Sequence, residues 1–114
     1  MAQNRNKLID LFIGNLANAV IHKILVEAIE DEILRKYYDK ELLNSVGIAR
    51  RYREKINPID NPLPEKDIGY IKSRVINKVI SELKLRISKG YKNINLDLVD
   101  KIVDKMLTDL KIKD

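Results

Sequence analysis

Between Asp10 and Lys23 no residue carries a formal charge, and apolar side chains from Leu8 to Ile29 point every way around a helix. A helix apolar on one stripe sits on a surface. One apolar nearly all round needs cover on several sides, from its own chain, a second copy or lipid. A membrane span takes roughly 20 apolar residues; here Asp10, Lys23 and Glu27 interrupt the run, and Asn15 and Asn18 lie inside it. The expectation is core or interface, with no membrane span.

Within this stretch Ile9, Phe12, Ile13, Leu16, Ala19 and Val20 form one wide face, and Leu11, Ile21, Leu25, Ala28 and Ile29 form another nearly opposite. Two faces imply two partners. With 114 residues the chain has room for one domain and a thin core. Three further helices of this size are expected to cover one face better than both. The sequence therefore predicts a homodimer, with Leu11, Gly14, Asn18, Ile21 and Leu25 at the interface and Asn18 fixing register by pairing across it. Gly14 costs about 1 kcal/mol of helix propensity against Ala, so its presence points to close approach by another helix.

The remaining chain reads as helices. The first is expected over Lys7–Tyr38, capped by Asn4 or Asn6 behind a frayed Met1–Asn6, with Asp31/Arg35 and Glu32/Lys36 as solvated i,i+4 pairs. Lys40–Ile56 is expected in two pieces, opened by Asp39 and divided at Gly47. Residues 57–64 hold all three prolines and form a linker, with Pro64 starting the next helix. Glu65–Lys89 carries Ile68, Ile71, Val75, Ile76, Val79, Ile80, Leu83 and Ile87 on one broad face and stops at Gly90. Leu96–Ile112, capped by Asn95, carries a clean apolar stripe. The fold class is all-α: one domain over 1–114, a bundle of about four principal helices around the long N-terminal one.

Function is less legible. The stretch KELLNSVGIARRYREKI resembles the core of a helix-turn-helix, with Gly47 in the turn followed by a basic helix. The resemblance implies nucleic-acid binding through Arg50, Arg51, Arg53 and Lys55; a net charge of +5 agrees with a polyanionic partner. It departs from the motif at Leu43, where a small residue is usual, at Arg53, where an apolar one is, and at Pro58, which shortens the second helix. A second basic region, Lys66–Lys92, scatters its charges around its helix.

His22 is the only histidine, and no Arg precedes it at the spacing of the HEPN ribonuclease pair. Glu27, Glu30 and Asp31 stand at helical spacing without a second carboxylate set to complete a metal shell. Absent Cys removes disulfides and thiolate chemistry, and with no secretory leader pattern in the sequence the expected location is the cytoplasm. No enzyme activity, metal or cofactor is expected. The first functional expectation is a self-associating protein–protein interaction or assembly subunit, the second a basic nucleic-acid-binding module.

Overall fold

The first helix, α1 (Arg5–Ala28), opens where Asn4 holds an extended conformation and its side chain accepts the Asn6 backbone N–H at 2.8 Å. The computed structural model describes residues 4–57 and 61–113. Twelve residues of α1 are buried, from both of the faces recognised in the sequence: Leu8, Ile9, Phe12, Ile13, Leu16, Ala17, Ala19, Val20, Ile21, Ile24, Leu25 and Ala28. By length and composition alone α1 is apolar enough to cross a membrane, and the same side chains form the core of this fold.

The helix ends earlier than expected. Ile29 turns extended, and Asp31 caps α2 (Glu32–Ile56) by accepting the N–H groups of Ile33 and Leu34 at 2.9 and 3.1 Å. Arg35, expected to pair with Asp31, instead donates to the Ile29 carbonyl from Nε and Nη2 at 3.1 and 2.7 Å and closes the turn. The second correction is at Gly47, which lies inside one unbroken 25-residue helix. The expected opening at Asp39 and the division at Gly47 are absent, and the helix-turn-helix geometry goes with them. Packing explains the continuity: Tyr38, Ser45, Ala49, Tyr52, Arg53 and Ile56 fall on one side of α2 and are buried or half-buried against the rest of the chain. That tertiary contact outweighs the roughly 1 kcal/mol propensity cost of one Gly.

α2 runs antiparallel to α1, with the His22 and Tyr38 rings 5.8 Å apart near the turn. Residues 57–64 lead to α3 (Glu65–Ser88), begun after Pro64 as expected. Pro58, expected to stop the preceding helix, lies outside the described residues, as does the start of the frayed N-terminus at 1–3. α3 lies parallel to α1: Arg5 pairs with Asp67 at 2.5 Å, and the Tyr70 hydroxyl donates to Asp10 at 3.3 Å. Ile71, Val75, Val79 and Leu83, at steps of four, bury one stripe of α3 in the shared core.

Gly90 stops α3 at φ 102°; Gly90 N–H donates to Ile87 O and Tyr91 N–H to Arg86 O, the Schellman pattern. Asn95 caps a 3-10 turn at Leu96–Leu98 that leads into α4 (Val99–Asp109). α4 runs antiparallel to α3, held outside by Lys72 to Asp100 and Asp104 and inside by Val99, Val103 and Leu107. The fold is all-α, four helices alternating in direction, with no strand among the described residues.

Candidate functional site

Arg53 is the most buried charged side chain among the described residues, with no exposed surface. Nε donates to Leu110 O (3.1 Å), Nη1 to Asn57 O (3.3 Å) and to the Asn57 side-chain oxygen, and Nη2 to Asn61 O (2.8 Å) and Lys111 O (2.7 Å). A guanidinium carries five N–H donors, and all five are spent here on oxygen acceptors, none of them a carboxylate. The carbonyls at the C-terminal ends of α2 and α4 carry partial negative charge, so they solvate the cation in place of water. Burial pushes the Arg53 pKa down from its ordinary value, yet a guanidinium stays charged. Lys111 sits left-handed at φ 59° in a second Schellman turn, with Ile112 N–H bonded to Leu107 O. Such a conformation costs a non-glycine residue roughly 1–2 kcal/mol; the bond from Arg53 holds its carbonyl in place.

Arg53 is therefore a structural clamp, and its assignment among nucleic-acid-binding residues is corrected. It occupies the position where a helix-turn-helix would have an apolar residue, and here too the position is buried. Arg50, Arg51 and Lys55 remain exposed on α2.

The residues expected at a self-association interface divide in the same way. Leu25 is fully buried and Ile21 is 7% exposed, both by the chain's own helices, so no second copy is needed to cover them. Leu11 and Gly14 are half-buried and Asn18 is exposed. A Cβ added at Gly14 would meet nothing within 4 Å, so the close helix approach expected there does not occur.

What α1 exposes is the floor of a groove between α2 and α3. Two adjoining depressions of about 510 and 630 Å³ share Asn15, Asn18 and His22; Lys78, Glu82 and Arg86 of α3 form one wall, and Glu41, Leu43, Asn44, Ser45, Gly47, Ile48 and Arg51 of α2 form the other. The walls mix both charge signs. Burial lowers the His22 pKa below 6.5, Glu41 opposing and Arg86 reinforcing the shift, and its buried Nδ1 has no hydrogen-bond partner. Arg86 is paired with Glu82 at 3.2 Å and lies over the Tyr91 ring. No hydrogen bond among the described residues joins Ser45 to His22 as a nucleophile would require, and no three His, Asp or Glu side chains gather as a metal site.

The exposed face of α2 continues from the α2 wall of this groove, sharing Asn44, Ile48 and Arg51 with it. Ile33, Tyr37, Lys40, Asn44, Ile48 and Arg51 recur at steps of three and four along it, all exposed. Ile33 is 83% exposed, Leu43 on its flank 68% and Tyr37 58%. The sequence pattern concealed this face: with helix ends expected at Tyr38 and Gly47, Ile33 and Tyr37 belong to one segment, Lys40 and Asn44 to a second, and Ile48 and Arg51 to a third. An uninterrupted helix aligns them. No protein family, curated protein or solved structure matches this chain.

Proposed function

We propose that the chain is an assembly subunit that docks on another helical surface through the outward face of α2. The observation that carries this reading is the exposure of Ile33, Tyr37 and Leu43 on a helix whose other side is well packed. Burying a side chain of that size contributes about 1.5–3 kcal/mol, and large exposed apolar side chains interspersed with charged ones fit the composition of an interaction site. On this reading Arg50 and Arg51 are rim charges of the interface. The groove over α1 is lined about equally by polar and apolar groups, whereas small-molecule pockets are mainly apolar, and the surface proposed for function is α2.

The test compares the native size of the protein in cell extract with that of Ile33→Glu/Leu43→Glu. Both positions are solvent-exposed in the isolated chain, so the variant should keep its circular dichroism spectrum. The parent should elute above the mass of one chain and the variant at that mass. Equal elution of the two would sink the reading.

A further inference from the structure

The α2 face is complementary to itself when reversed. Align two copies of α2 antiparallel about a point between Lys40 and Glu41. Ile33 then lies opposite Ile48, Tyr37 opposite Asn44, and Lys40 opposite Glu41. Charge matches at the ends as well: Arg51, exposed on this face near the end of α2, falls opposite the exposed Glu30 just before the partner's α2. A parallel pairing would stack like charges instead, which is unfavourable.

Shape agrees with charge. Gly47 is one residue from the position opposite Ile33 and is open to solvent, so the partner's most exposed apolar side chain meets no side chain there. A 25-residue helix is about 37 Å long at 1.5 Å per residue, long enough for two apolar contacts, one at each end of the central Lys40–Glu41 pairs. Two-fold symmetry repeats every contact, which lets a modest face form a closed pair.

Resting on the reading of α2 as the docking surface, we infer that its occupant is a second copy of this chain, packed antiparallel through α2. The fully native sequence lacks Cys, so introduced thiols report geometry without background. Purified Ile33→Cys and Ile48→Cys variants, mixed and oxidised at tens of micromolar, should give a covalent pair containing one of each, while Ile33→Cys alone gives little. Arg51→Glu and Glu30→Lys should each raise the dimer dissociation constant about tenfold, and the two together in one chain should restore it. Gly47→Ala should weaken the dimer while leaving the helix intact. Parent protein that stays monomeric at 100 µM overturns the second-copy inference and leaves the docking reading to its own test. Crosslinking of Ile33→Cys with itself overturns the antiparallel register alone. A dimer that crosslinks through Leu85→Cys on α3 and through no α2 position overturns both.

Discussion

Arg53 Nη2 donates to the carbonyl of Lys111 at 2.7 Å, joining two residues 58 apart in sequence. The bond ties the C-terminal part of α2 to a carbonyl held by a left-handed residue beyond α4. Removing the buried cation leaves the Leu110, Asn61 and Lys111 carbonyls short of donors, and each buried polar group left unsatisfied costs roughly 1–3 kcal/mol. Arg53→Leu should lose about that much in urea unfolding. Arg53→Lys should recover little, because an ammonium cannot direct five donors in a plane. A loss under 1 kcal/mol for Arg53→Leu would show that the clamp is dispensable.

Acid should weaken the fold through His22. Burial lowers its folded pKa below 6.5, so the unfolded chain binds the proton more readily. Stability from the neutral ring is complete above 6.5 and is lost as pH falls from 6.5 toward the lower folded value. Thermal melts of the parent and of His22→Gln across pH 7.5 to 5 check this: the parent should lose more of its melting temperature than the variant. Parallel profiles would remove His22 as the cause.

A carboxylate-dependent loss should follow at lower pH. Asp104 accepts from Lys113 at 2.7 Å and from Lys72 at 3.4 Å, and these partners hold its carboxyl below the usual value of 3.8. A depressed carboxyl stabilises the fold above 3.8 and loses that contribution as pH falls through its folded value. Asp104→Asn should therefore melt earlier than the parent at neutral pH and converge with it once the pH has fallen through that folded value. High salt should shrink the difference, since the site is open to water.

Gly14→Ala should stabilise the protein. The position is helical with open space around the added methyl, so the gain is the propensity difference of about 0.5–1 kcal/mol. For a domain near 100 residues that is a rise of roughly 2–8 °C in melting temperature. A fall would mean that a neighbour approaches Gly14 after all.

The parts of the fold legible in the sequence are those where one signal dominates. α3 and α4 show uninterrupted apolar stripes, and Gly90 and Asn95 act at the ends they were expected to mark. The α1–α2 turn was hidden because Glu30, Asp31 and Glu32 satisfy two patterns at once, a solvated helix face and a helix start. Only the Asp31 cap, with Arg35 folded back on Ile29, decides between them. Gly47 misled in the opposite direction, a stop signal in isolation and a tolerated interior residue once α2 packs along α1. Arg53 was read as surface because its type is usually exposed; its acceptors come from three separated segments, a convergence that no local spacing reveals. The exposed face of α2 is visible only once the three segments expected over residues 32–56 join into one helix.

The clamp also orders events in time. A ribosome releases Arg53 well before Leu110 and Lys111, whose carbonyls it requires. Until residue 111 emerges, the guanidinium must keep its hydration and the adjoining end of α2 cannot close into a dry core. The α1–α2 hairpin can meet during synthesis, but its seal arrives late. Nascent chains stalled with residue 105 just outside the ribosome should be cut readily by protease near Arg53, and chains extended past residue 111 should resist.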